Sequence, residues 1–419
     1  MIGIVQQNLL LLVSEMKRII LIGIFISFLL LLPLFQGASI EISNKSINNG
    51  TIFYVGGSGP GNYSVIQDAI DDAVDGDTIF VFNDSSPYEE CLEINKRISL
   101  IGEDKERTVI IGDCLEKLIT IRRSQVMISG FTIKTNDSKR YPYYGFYLIS
   151  DHTTITGNII SNIETGISVM SHYNIITDNE FFNCGIYATS TYYENTISNN
   201  YVNGKPLVYR HNKFNEKITN AGQVILLNCI NMTIENANIT DVYYGIYMNA
   251  CRYCKIIGNN ITNCNIFLID SKKNEITGNI ISKIDKRTMY MSVGITLQYS
   301  NQNIISGNNI FSNEGTGIHI YYSDENNLEN NNIESNRKGI KLDDSKFNTI
   351  TKNNFVGNKR IASFSDSKNN RWNGNYWGRA RILPKLITGS ITIIEPGFGT
   401  PGRSLPWFNI DLRPAKNPF

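Results

Sequence analysis

The chain has 419 residues, of which 39 are Lys or Arg and 38 are Asp or Glu, a formal net charge of +1. That balance excludes a global electrostatic footprint for nucleic acid or an anionic bilayer, so any charged site must be local. Only 11 prolines stand in a sequence rich in Asn, Ile, Ser, Thr and Tyr, which favours strands and tight turns over helices.

The first 39 residues read as an export element. Lys17 and Arg18 precede an apolar run from Ile19 to Leu32, carried past Pro33 by Leu34 and Phe35 and followed by the small residues Gly37, Ala38 and Ser39. Because Gln36 is a poor match to the small residue wanted three positions before a cut after Ala38, a cleaved signal peptide and an uncleaved membrane anchor both stay open. No second spanning segment follows, so everything after about residue 40 is expected outside the cytoplasm, touching the membrane only through this segment.

Residues 40–117 are expected to form an N-terminal cap and the first coils. A helix is predicted from Asn62 to Gly76, with Ser64 as its cap, Gln67 completing a capping box, and Ile66, Ala69, Ile70, Ala73 and Val74 on one apolar face. It would cover the open end of a core just before a first strand at Thr78–Phe82.

From 118 to 378 a pattern recurs every 20 to 23 residues, roughly: Gly-Ile-x-apolar, Ser, Asn-x-Ile-x-x-Asn-x-Ile, then a polar turn. Clear copies begin at Gly166, Gly294, Gly317 and Gly339, and the second Asn falls at Asn158, Asn179, Asn200, Asn259, Asn279, Asn308, Asn331, Asn353 and Asn375. Alternating Ile in short runs is a period of two, and such runs bury their Ile only by winding round a shared axis. The predicted fold is therefore all-β, a right-handed parallel β-helix of roughly eleven to thirteen coils, with Asn at corners because it tolerates left-handed backbone and bonds neighbouring amides.

Counting back from each second Asn gives an inward column of Ser150, Ser171, Cys229, Cys251, Ser271, Ser300, Ser323, Ser345 and Ser367. Cys229 and Cys251 are thus one coil apart, as are Cys91 and Cys114, and packed thiols or a cross-coil disulfide fits either pair. At the far end Trp372, Tyr376 and Trp377 replace ladder aliphatics and the period stops, so they are expected to plug the core, with residues 379–419 as a C-terminal cap.

The opening YSVIQDAIDDAVDGDTIFVFNDSSPYEE, the Asn-rich coils, the stretch KPLVYRHNKFNEKITNAGQVILLNC and the ending NNRWNGNYWGRARILPK resemble NosD-type β-helix proteins of archaeal type. The resemblance implies a β-helix of the carbohydrate-binding, sugar-hydrolase-like and pectate-lyase-like class. It also implies three possible roles: assistance in copper-site assembly, as in the founding members, the lyase-like and epimerase-like chemistry of the wider class, or that of its non-catalytic surface proteins. On such folds a polysaccharide site lies on one exposed strand face.

Copper is not expected from the residues themselves, because His152, His172, His211 and His319 are scattered over different coils and no metal ligand set is assigned. Cys251-x-x-Cys254 with Cys264 is the nearest cluster, read as structural. One strand face is more promising: it offers Thr296, Gln298 and Tyr299, then His319, Tyr321 and Tyr322, then Lys341, Asp343 and Asp344, then Ser363, Ser365 and Asp366, with Tyr247 and Asn249 extending it. Tyr299, Tyr321, Tyr322 and Asp366 are the candidate ligand-binding residues; His319, Lys341, Asp343 and Asp344 are the candidate catalytic ones, and paired carboxylates also suit Ca²⁺. The long connection holding Lys205, Tyr209, Arg210, His211 and Lys213 is read as a lip or edge loop. The expectation is a monomeric surface protein that binds polysaccharide or envelope glycan, with a polysaccharide lyase, hydrolase or epimerase as the alternative and no nucleic-acid partner.

Overall fold

The computed structural model describes residues 50–112, 114, 116–135, 144–188, 190–191, 194–285, 292–393 and 403–419. The export element at 1–39 lies outside the described residues, which form one compact unit, Gly50–Phe419. Among them no helix is long and apolar enough to cross a membrane.

The chain winds as a parallel β-solenoid. A typical coil has one long strand (Thr316–Tyr321), a first short strand (Asn327–Glu329) and a second short strand (Asn332–Glu334), after which the next long strand, Lys338–Asp343, begins. Each strand pairs in parallel with its counterpart one coil on, as in Ile318↔Ile340, Leu328↔Ile350 and Ile333↔Phe355. These six residues are fully buried, because alternation sends every second side chain to the axis. The first short strands number seven from Ile52–Val55 to Thr196–Ser198 and eight more from Lys217–Ile218 to Arg371–Asn373, hence fifteen turns. The repeat count fell short because the earliest strands carry no Asn signature.

The capping helix is shorter than the sequence implied. It spans Ile66–Asp72 with Val65 at the cap position and no side-chain cap of its own. Glu90, one coil away, accepts from the Ile66 and Gln67 amides at 2.8 and 2.9 Å, a carboxylate at the positive end of the helix in place of Ser64. Gln67 instead bonds Asp71 and exchanges hydrogen bonds with the Glu93 backbone. Ile66, Ala69, Ile70 and Ala73 are buried as expected, but Val74 is 66% exposed. A strand that the pattern missed, Ile52–Val55, precedes the helix and pairs with Thr78–Val81.

The presumed lip is a coil. Tyr201–Val202 turns back antiparallel on Lys205 and Pro206, after which Leu207–His211 joins the long stack against Gln223–Leu227 and Lys217–Ile218 pairs with Thr233–Glu235. Buried Gln223 stitches the break: its Oε1 accepts from the Ile186 amide at 3.0 Å, and its Nε2 donates to the Ile186 and Tyr244 carbonyls at 2.9 and 3.1 Å.

Three polar ladders run inside the corners. In the main one, Asn308 Oδ1 accepts from the amide and Nδ2 of Asn279 at 3.0 and 2.9 Å, and Asn331 does the same for Asn308. A second passes through Asn274, Asn303, Asn326, Asn348 and Asn370, with Cys254 at its head; a third links Asn313, Asn336 and Asn358. The serine column forms too, Ser300, Ser323 and Ser345 each donating an amide to the next Oγ. The ladder Asn residues are not themselves left-handed. That conformation belongs to the residue before each, Asp178, Asn199, Gly278, Gly307, Asn330 and Lys352 among them.

Cys91 and Cys114 are joined in a disulfide with Cα atoms 6.2 Å apart, whereas Cys229 and Cys251 are free buried thiols. At the C-terminal end Trp372 and Trp377 are buried, and Trp377 stacks on Phe355 at 4.9 Å. Tyr376 is only half-buried and stands beside Asn354 rather than in an aliphatic position. An antiparallel hairpin, Lys385–Ile393 with Arg403–Asp411, then adds to the long stack through Phe364↔Gly389 and Ser365↔Ser390. Its last residue, fully buried Asp411, accepts from the Asn375 amide, Asn375 Nδ2 and Trp377 Nε1 at 3.0, 3.1 and 3.0 Å, and so terminates the main ladder.

Replacing Asp411 by Ala leaves the Asn375 amide and Trp377 Nε1 without an acceptor and Asn375 Nδ2 with only its bond to the Ile350 carbonyl, and is expected to destabilise the C-terminal coils by about 3 kcal/mol. Urea unfolding followed by tryptophan fluorescence should show a lower midpoint for Asp411→Ala and a smaller loss for Asp411→Asn, which keeps one carbonyl oxygen. Equal midpoints for all three proteins would refute the role.

Candidate functional site

The outward side of the long stack carries the predicted face. Register places His319 beside Lys341 and Ser363 in one column, and Tyr321 beside Asp343 and Ser365 in the next. Three of the predicted residues converge: His319 Nε2 lies 2.7 Å from Asp343 Oδ2, and the Lys341 ammonium donates to the same oxygen. The Asp343 side chain is only 11% exposed. Burial alone would raise its pKa, but the hydrogen bonds and positive charge of His319 and Lys341 outweigh it and hold the carboxyl below its ordinary range.

Asp344 is not part of this cluster. It sits at the left-handed corner after the strand, in the column of Tyr299, Tyr322 and Asp366. Burial, then the charges of Asp366 and Asp343, push its carboxyl upward. Tyr299 and Tyr322 stack at 5.2 Å with planes 6° apart, and Tyr321 packs on Tyr322 at 4.3 Å, so the three predicted tyrosines form one platform. Asp366 is engaged elsewhere: both carboxylate oxygens bond Thr392 of the hairpin, one to its amide and one to its hydroxyl. The carboxylates offered for Ca²⁺ therefore have separate partners. Tyr247, expected outside, is buried beneath Tyr244 at 5.2 Å.

Two basic residues escaped the sequence reading. Lys338 and Arg360 pair across neighbouring coils at the start of their strands, and with Lys341, Asp343 and Ser390 they line an open cleft of about 420 Å³ whose far wall is the hairpin. Burial, then the nearby Lys341, Arg360 and Arg337, depress Lys338 below the usual lysine range. The shared repeat column of Thr316, Lys338 and Arg360 could have revealed these cations; the wall could not be foreseen, because the repeat has ended there.

A family model described as "Periplasmic copper-binding protein (NosD)" matches residues 73–220 and 208–381. The chain belongs to the NosD family. No curated protein matches it in sequence. Among solved structures it is similar to a mutant of the periplasmic alginate epimerase AlgG, at 16% identity over 72% of this chain and 73% of that one, with a TM-score of 0.33. It is also similar to the Dettilon tailspike protein, at 12% identity over 83% and 74% of the two chains and a TM-score of 0.29. The A-module of the Azotobacter vinelandii mannuronan C-5 epimerase AlgE6 matches at 14% identity over 78% and 82%, with a TM-score of 0.26. The solenoid itself is read from its own strand register.

For a NosD-family chain the fit to copper is tested by its donors. Among the described residues no group of three or more His, Cys, Asp or Glu is placed to hold a metal ion. His152 and His172 flank Tyr173 with ring centroids 5.2 and 5.7 Å away, and His211 Nε2 meets the Thr191 carbonyl at 2.9 Å. Cys251 touches both Cys229 and Cys254, yet it is sealed in the core, where burial raises its pKa well above the ordinary thiol value. Among the described residues these histidines and thiols therefore do not converge as a copper ligand set.

Just before the upstream long strand Thr165–Val169, half-buried Glu164 stands near Tyr144 and Tyr243, whose hydroxyls are held above their ordinary range chiefly by burial and in lesser part by the Glu164 charge. Burial pushes its carboxyl up to about 7. The folded state thus retains a proton that the unfolded chain releases near 4.5, so stability falls as pH rises between these values. Glu164→Gln cannot ionise and is expected to raise the melting temperature at pH 8 while changing it little at pH 5. An equal effect at both pH values would contradict the assignment.

Proposed function

We propose that this NosD-family chain works outside the cytoplasm as a polysaccharide-binding solenoid, holding a glycan lengthwise on the outward side of its long stack. The observation that carries the reading is a juxtaposition: stacked Tyr299 and Tyr322 lie on the same face as a cleft lined by Lys338, Lys341 and Arg360. Aromatic faces stack on sugar rings and the cations take carboxylate or sulfate groups. Coils spaced by about 4.8 Å repeat these groups at nearly the length of one extended pyranose residue. The family's periplasmic description supports an extracytoplasmic setting.

Binding is favoured over turnover because Asp343 is already shared between His319 and Lys341, the two residues that would have to act as base. Asp344, the other predicted catalytic carboxylate, stands apart from them at its corner.

The test is a glycan-array screen of the full chain, scored in parallel for release of reducing or unsaturated ends. Acidic polysaccharides should bind without product, Arg360→Ala and Lys341→Ala should each weaken binding by roughly tenfold, and Asp343→Asn should strengthen it by removing a competing negative charge. Product release that Asp343→Asn abolishes would establish the lyase, hydrolase or epimerase alternative. Silence in both channels would remove this face from consideration.

A further inference from the structure

The end of the solenoid beyond the cleft combines apolar exposure with clustered positive charge among the described residues. Ile382 and Leu383 are 91% and 76% exposed, more than any other large apolar side chain among the described residues, and they stand between Arg381 and Lys385. The hairpin register, in which Lys385 faces Asp411 and Leu386 faces Ile410, sets exposed Leu412 immediately beyond, on the side of this loop. Arg379, Arg413 and Lys416, in the adjoining stretches of sequence, are exposed. Among the described residues from 379 onward the one acidic side chain is Asp411, which is fully buried and accepts from the ladder end. Arg381 is half-buried, its Nε sealed from solvent without a hydrogen-bond partner, and Lys385, lying over the Trp377 ring at 5.9 Å, is depressed by burial and then by Arg381 and Arg379.

We infer that this end docks on a bilayer surface rich in anionic phospholipid, with Ile382 and Leu383 entering the acyl boundary and Arg379, Arg381, Lys385 and Arg413 meeting the phosphates. Two adjacent apolar side chains flanked by long basic stems match that layered environment, where the aliphatic stems lie along the apolar zone and the charges reach the headgroups. Each basic residue held near an anionic surface adds to the attraction. A second copy of the chain is disfavoured as occupant, because a two-fold contact would set these cations against their own duplicates. The charge is local, consistent with an overall net charge of only +1.

A local probe separates this contact from anything the N-terminal segment does. Leu383→Cys in the full chain, labelled with an environment-sensitive fluorophore, is mixed with phosphatidylcholine vesicles containing or lacking one part in three of phosphatidylglycerol. Emission should shift to the blue with a several-fold gain in intensity on anionic vesicles only, and the combination Arg379→Glu, Arg381→Glu and Arg413→Glu should abolish the change. All four positions are exposed or half-exposed, and unchanged circular dichroism verifies folding. A water-like spectrum on both vesicles, an equal shift on both, or a concentration-dependent shift without lipid, which signals self-association, would each overturn the inference.

Discussion

Parallel coils stacked about 4.8 Å apart must turn three corners per turn, and each corner buries backbone polar groups with no strand partner. Everything else in this molecule depends on how those groups are satisfied. A corner asparagine supplies both halves of the solution: its Oδ1 accepts from the coil before, while its Nδ2 donates to a carbonyl there, as Asn331 does to Ile305 O at 2.8 Å. A one-residue slip would unpair the ladders and turn the Ile rows outward, so the same interaction fixes the register.

Register in turn makes the candidate site. His319 and Asp343 are 24 residues apart in sequence and meet only because their coils are in phase. The cleft needs a second ingredient, the hairpin, whose placement rests on the buried ladder end at Asp411 and on Thr392 tying down Asp366. The tyrosine-bearing face, the basic cleft and the apolar cationic end thus share one support, the terminated ladder at the C-terminal end.

Much of this was legible in the sequence because a solenoid repeats its reasoning. The period gave the Asn and Ser columns, and from them the placement of Tyr299, Tyr321, Tyr322, His319, Lys341 and Asp343 on one face. Illegibility began where local pattern yields to contacts that occur once. Ser64 and Gln67 spell a capping box, yet a carboxylate from the next coil, Glu90, reached the helix first. Asp343 and Asp344 are neighbours in sequence but not in role, since the chain leaves the strand between them and Asp344 adopts φ 47°. Tyr247 is outward by alternation and buried by its neighbours Tyr244 and Phe267. Asp411 lies outside every repeat, so nothing in the pattern announced that it ends one.

The most direct measurement is amide hydrogen exchange on the wild type and on Asn331→Ala, which breaks the main ladder at mid-height. If the ladder sets register cooperatively, protection will fall not only at residue 331 but in the coils of Asn308 and Asn353 and along the long strands Thr316–Tyr321 and Lys338–Asp343 that carry the site. Loss confined to the substituted corner, with both long strands as protected as before, would contradict the account.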